Sequence, residues 1–346
     1  MPVHLILRAM HRVLGLLLLI ASFGGAWVWM DYREFEQTPL GLPADGVTYT
    51  LPQGGSAGSV AGDLVAAGYL PPRWEAYFRW MAWTSGRAAQ LKAGEYRLAP
   101  GLTASGLLDL LVSGKVVQYP LTIIEGWTFR QLMAAVREHP ALRQTLEGLD
   151  DATVMAALGR PGEHPEGRFF PDTYLFPRGT TDVEFLGRAY KRMGTVLDEA
   201  WRQRVAGLPV KDPYQVLVLA SIVEKESGMA AERPQIAGVF VRRLQKGMKL
   251  QADPTVIYGL GDGFDGNLRR SDLETDTPYN SYTRTGLPPT PISLPGRAAI
   301  QAVVSPAGGS ELYFVARGDG SHYFSATLDE HQRAVNQYQR KRPGTP

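Results

Sequence analysis

The chain has 346 residues, 44% hydrophobic and 20% charged, a globular composition long enough for two domains with sizeable cores. A net charge of +2 gives no reason to expect a nucleic-acid partner, and the absence of cysteine excludes disulfides, zinc–thiolate sites and thiol catalysis. The six histidines form no H-x-x-H or H-E-x-x-H pattern, so neither a metal site nor a cofactor is expected.

Residues 13–30 are an uncharged apolar run long enough to cross a bilayer. Arg8 and Arg12 precede it, whereas Asp31, Glu34 and Glu36 follow with only Arg33. The positive-inside rule keeps residues 1–12 in the cytoplasm and everything after the span outside it. Trp27, Trp29 and Tyr32 suit the outer interface. A cleaved signal peptide is the rival reading, but the run is long for one and no clean A-x-A site follows. Residues 31–46, with Pro39, Gly41, Pro43 and Gly46, read as a linker.

A small unit follows, over residues 47–116. Its elements are a strand at 47–51, helices at 59–68 and 74–84, a strand at 91–98, and a helix at 103–113 with Thr103 as cap and Gly114 as stop. Trp74, Tyr77, Trp80, Trp83 and Tyr96 suit either sugar stacking or a core, and the helical spacing of Tyr77, Trp80 and Trp83 favours the core.

Residues 117–340 make a larger mixed unit. Residues 116–124 are extended, with Pro120 marking an edge. Helices are expected at 129–136, 150–158, 182–205, 233–247, 298–304 and 328–340, and paired strands at 312–315 and 322–324. Residues 166–177, EGRFFPDTYLFP, suit a loop lining a cleft. On the helix at 233–247, Ile236, Phe240 and Leu244 are expected to face inward and Arg242 and Arg243 outward. Residues 250–259, 277–282 and 286–296, rich in Pro, Gly, Tyr and small polar residues, read as ordered irregular loops.

The central stretch is 212–228, DPYQVLVLASIVEKESG. Asp212 suits the N-cap, Pro213 the first helical position and Gly228 the stop. The run 216–223 is apolar on nearly every side, as for a helix buried in a large core. Glu224 and Glu226 then sit at i and i+2, on roughly opposite sides, so they cannot serve one bond as an acid/base pair. Either both belong to a solvated last turn, with Lys225 countering the charge, or one is held in a cleft for use. With thiol, metal, nucleophile-elbow and phosphate-loop chemistries lacking their motifs, carboxylate chemistry on a glycan remains. A carboxyl on a hydrophobic helix has its charged form disfavoured and can protonate a glycosidic oxygen near neutral pH.

The runs LASIVEKESG, LQADPTVIYG and DTPYNSYTRTGLPPTPISLPG resemble the MltG (YceG-like) family of endolytic murein transglycosylases. The likeness extends to LKAGEYRL from Leu91, EGWT from Glu125 and EGRFFPDTYLFP from Glu166, and so over nearly the whole chain. It implies an α+β protein with a single transmembrane helix, a small LysM-like α/β domain and a larger mixed α/β catalytic domain. It implies a lyase cutting the bond between N-acetylmuramic acid and N-acetylglucosamine in nascent peptidoglycan strands, leaving 1,6-anhydromuramoyl ends and ending strand elongation.

The resemblance assigns the acid/base role to Glu224, with Glu226 structural. Gln251, Asp253, Thr255, Tyr279, Asn280 and Tyr282 would orient the sugars or Glu224; Asp253 could equally be an N-cap and Asn280 a turn former. It also implies the cytoplasmic (inner) membrane, a catalytic domain on its periplasmic or extracytoplasmic side, and cell-wall synthases as partners. Two departures stand out: Thr290-Pro291-Ile292 where many members have Gly-Pro-Ile, and Leu294-Pro295-Gly296 where many have Asn-Pro-Gly. The alternatives are a non-catalytic glycan-binding scaffold and a hydrolytic muramidase. The latter needs a second carboxylate from among Glu166, Asp172, Asp253 and Glu274.

Overall fold

A computed structural model describes residues 2–340, which form two compact units dividing after Tyr119. The content is mixed helix and strand.

The first unit begins with α1 (Pro2–Gln37), of which Met10–Gln37, with an 18-residue stretch of mean hydropathy 2.0, is long and apolar enough to cross a membrane. Then come β1 (Val47–Leu51), α2 (Ala57–Ala66), α3 (Glu75–Thr84), β2 (Gly94–Leu98) and α4 (Ala104–Ser113). The strands pair antiparallel, Val47 opposite Leu98. Ser56 and Ser59 close a capping box on α2; Thr103 caps α4, which ends on left-handed Gly114. Val60, Leu64, Phe78, Tyr96, Leu107 and Leu108 form the core.

Two expectations fail in this unit. Residues 31–37 continue α1 instead of opening a linker, because Phe35 packs on Trp74 and Tyr77, and Phe35 and Leu40 are buried in the core. On α3 the buried face is Phe78, Met81 and Ala82, while Trp80 and Trp83 are 52% and 74% exposed. Only Trp74 and Tyr96 of the five aromatics are fully buried.

The second unit contains a two-stranded sheet of β3 (Tyr119–Thr122) and β4 (Thr173–Phe176), with α5 (Phe129–Glu138) and α6 (Asp151–Ala157) between them in sequence. After these come α7 (Asp182–Arg202), α8 (Pro213–Glu226), α9 (Arg233–Gln245), α10 (Asp253–Leu260), α11 (Arg270–Glu274) and α12 (Arg297–Val304). An antiparallel hairpin of β5 (Tyr313–Ala316) and β6 (His322–Ser325) precedes α13 (Leu328–Val335).

Helix α8 is the axis of this unit. The Asp212 side chain accepts from the Gln215 N–H at 2.9 Å, and Pro213 opens the first turn. Every residue from 216 to 224 is buried, in a core shared with α7, α9 and α12. Each such Val, Leu or Ile contributes about 1.5–3 kcal/mol. The helix stops at Glu226 with Ser227 extended, two residues before Gly228.

Two further corrections concern this unit. Residues 253–260, expected as irregular, form α10: Pro254 is tolerated in a first turn, so Asp-Pro opens a helix here. Ala252 is the cap and Asp253 the first helical residue, so Asp253 is not an N-cap. Arg243, expected to face out, is 7% exposed, and Arg242 is half-buried with its guanidinium on Glu311 and two carbonyls.

Candidate active site

The last turn of α8 delivers its two carboxylates into different surroundings. Glu224 meets the loop at Glu125–Gly126, the start of α9 and the start of α12. Its Oε1 accepts from Arg233 Nη2 at 2.6 Å and its Oε2 from the Gly296 N–H at 2.9 Å. Arg233 also donates to Ser227 Oγ and, at 3.4 Å, to Glu125 Oε2. The Arg233 and Glu224 side chains are 13% and 5% exposed. A Cβ at Gly296 would lie 1.8 Å from Glu125 Oε1, so a larger residue there would displace the half-exposed Glu125 side chain.

Burial raises the Glu224 carboxyl, with the Gly296 N–H and Arg233 opposing. The direct contacts decide what this group can do. Each oxygen already accepts from an N–H donor, and both contacts favour the ionised form that a proton would weaken. Glu224 is built as an acceptor that ties three segments together.

Glu226 is on the other side. Among the described residues none hydrogen-bonds to its carboxyl, whose neighbours are Asp253, Arg243 and Tyr282. The residue as a whole is half-buried, but its carboxyl is crowded by protein and pushed up to about 8. Desolvation is the main cause, the Asp253 charge adds to it, and Arg243 opposes. A carboxyl in that range holds a proton at neutral pH.

The groups around Glu226 are themselves braced. Tyr282 donates its phenolic hydrogen to Asp253 Oδ1 at 2.6 Å. Arg243, on α9, donates to the carbonyls of Lys249, Leu250 and Leu312 and to Gln251 Oε1 at 3.3 Å. Gln251 has φ of 52°, left-handed for a side chain with a Cβ, a cost of roughly 1–2 kcal/mol. Its N–H donates to the Ser281 carbonyl, and the turn it makes leads straight into Asp253. Backbone strain, a buried cation and an unpaired acid thus converge at one place.

The other expected site residues lie elsewhere. Thr255 and Asn280 are fully buried. Thr255 bonds to the Ala252 carbonyl and Ser281 Oγ, and Asn280 Nδ2 donates to the carbonyls of Asp272, Leu273 and Thr275. Both hold loops in place. Tyr279 joins a second buried cluster: its OH is 2.9 Å from Thr290 Oγ1, and its ring stands edge-on to Tyr258 at 4.9 Å. Tyr258 donates to Glu166 Oε2, while Glu166 Oε1 accepts from the first N–H of α5. Burial pushes Glu166 up to about 7.

Of the carboxylates weighed as a second catalytic group, Asp172 is exposed and bonded to the Thr173 N–H, and Glu274 is a surface partner of Arg270. Asp253 alone is coupled to an α8 carboxyl. Among the described residues no three His, Asp or Glu side chains converge as a metal would require.

A family profile described as the YceG-like family matches residues 49–337. A Bacillus subtilis (strain 168) protein named endolytic murein transglycosylase is 32% identical, covering 84% of this chain and 84% of that protein. A protein of the same name from Streptococcus pneumoniae serotype 2 is 27% identical over 93% of this chain, which spans 63% of that longer protein. Among solved structures, a yceG-like protein from Listeria monocytogenes is similar with a TM-score of 0.53 and 30% identity, over 84% of this chain and 99% of that one.

Proposed function

The chain belongs to the YceG-like family, and from that premise we propose that it is an endolytic murein transglycosylase, a lyase acting on peptidoglycan. The bond cut is that between N-acetylmuramic acid and N-acetylglucosamine, within nascent strands, so that cleavage ends their elongation. Helix α1 anchors the protein in the cytoplasmic membrane, the first unit is a LysM-like domain, and the second works on the extracytoplasmic side beside cell-wall synthases.

The acid/base is Glu226 and not Glu224. What supports this is the protonated, hydrogen-bond-free carboxyl beside Asp253 and Tyr282, set against a Glu224 whose two oxygens are both engaged. Glu226 gives its proton to the glycosidic oxygen as the bond to the muramoyl C1 breaks. The sugar's own C6 hydroxyl attacks C1, and Glu226, now ionised, takes the hydroxyl proton. The cycle closes with an anhydro ring and a re-protonated acid, and no water is consumed. Asp253 keeps Glu226 protonated at rest, and Arg243 stabilises it once ionised. Gln251 and Tyr282 shape the sugar-facing edge.

Mass spectrometry of products from un-crosslinked glycan strands tests the reaction. Anhydro-ended fragments are expected. Reducing ends would make the protein a muramidase with Asp253 as its second carboxylate, and no cleavage by folded protein would leave a glycan-binding scaffold.

A further inference from the structure

The apolar run 13–30 rises about 27 Å along α1, close to the roughly 30 Å of a hydrocarbon core. The helix then continues unbroken to Gln37. Tyr32 lies two residues beyond the run, about 3 Å further along the axis. Its ring stands edge-on to Trp80 of α3 at 5.0 Å. Phe35 packs on Trp74 at 5.8 Å, and Trp74 Nε1 donates to Asp31 Oδ1 at 3.2 Å. The end of the helix that carries the span is therefore packed on α3 and on the residue before it.

That placement explains two indoles that the fold leaves largely exposed. Trp80 and Trp83 are 52% and 74% exposed on α3, with exposed Arg79 immediately before Trp80. Indoles are enriched at the depth where acyl chains meet headgroups, and an arginine there suits anionic lipid. The headgroup zone is roughly 5–8 Å deep on each side, so a ring packed on Tyr32 falls inside it. Trp83, three residues along α3, is at most about 5 Å further.

We infer that α3 rests on the outer leaflet with Trp80 and Trp83 seated among the lipid headgroups, so that the membrane itself is the partner of this face. The inference rests on α1 spanning the bilayer. Its consequence is a first unit laid against the membrane instead of swinging on a tether.

Because the chain has no cysteine, single cysteines can be placed by substitution. Ala76→Cys, on the exposed side of α3, and Leu19→Cys, within the span, are each labelled with an environment-sensitive fluorophore in the full-length chain. The chains are reconstituted in nanodiscs of phosphatidylcholine and phosphatidylglycerol carrying nitroxides at either the headgroup or the deep acyl position. Deep quenching at Leu19 and headgroup-level quenching at Ala76 are expected. Adding Trp83→Ser should cut the Ala76 quenching several-fold while leaving the thermal transition in place, since that indole is 74% exposed.

Leu19 quenched with Ala76 unquenched would overturn the inference and leave the anchor standing. Leu19 unquenched would remove the anchor, and the inference with it. An Ala76 signal that answers soluble glycan fragments but not lipid would assign the indoles to sugar and likewise overturn it.

Discussion

Replacing Glu226 by glutamine should remove activity and make the protein more stable. The carboxyl is raised from an ordinary 4.5 to about 8. A carboxyl raised on folding contributes a stabilisation that is fully present below about pH 4.5 and is lost as pH rises through about 8. Above that range the ionised group costs the fold up to about 5 kcal/mol, at about 1.4 kcal/mol for each of roughly 3.5 units. The residue is partly exposed, so about 2–3 kcal/mol is the expected remainder after screening. A glutamine mimics the protonated form and does not titrate. The gain of Glu226→Gln should therefore be small at pH 5 and full at pH 9. At about 2–4 °C per kcal/mol, that is a rise in Tm of about 4–12 °C at pH 9. Thermal unfolding of the full chain in detergent, followed by circular dichroism at both pH values, reads it directly. A variant no more stable than wild type at pH 9, or equally stabilised at pH 5 and 9, would refute the reasoning.

Arg233→Ala should act in the opposite direction, costing about 3–5 kcal/mol in denaturant unfolding because it strands a buried Glu224 charge; a loss under about 1 kcal/mol would show the pair to be dispensable. Asp253→Asn removes the charge that helps raise Glu226. The alkaline limb of the kcat/KM profile should shift to lower pH, and an unmoved limb would disconnect the two carboxyls. Gln251→Gly should be tolerated in stability assays, whereas Gln251→Val should cost about 1–2 kcal/mol because a β-branched residue is strained at positive φ; equal effects would mean the turn is not strained.

How legible this was varies by element, for physical reasons. Helix α8 was readable because its cap, its proline and its continuous apolar run are local signals. The opposed directions of Glu224 and Glu226 were readable for the same reason, from helical geometry. Which of them is spent on structure was not, because Arg233, Gly296, Asp253 and Tyr282 reach α8 from other segments. The family resemblance led to Glu224; the contacts lead to Glu226.

Arg243 was misread because charge in a helix pattern defaults to solvent, and only the loop carbonyls it serves reverse that. Helix α10 was hidden by a proline that breaks helices everywhere except the first turn. On α3, a three-residue spacing suits an exposed stripe as well as a buried one, and Phe78, Met81 and Ala82 had already filled the core side. Thr255 and Asn280 carry motif residues whose work is to hold the loops that present Asp253 and Tyr282.

The central claim is that Glu226 moves the proton and Glu224 holds the architecture. The direct measurement is anhydro-end production from un-crosslinked glycan strands by folded Glu226→Gln and Glu224→Gln proteins at matched concentration. The account predicts that Glu226→Gln loses about 100-fold or more, as removal of a general acid does, while Glu224→Gln stays within about tenfold of wild type. An active Glu226→Gln protein beside a folded but inactive Glu224→Gln protein would contradict it and return the acid to Glu224.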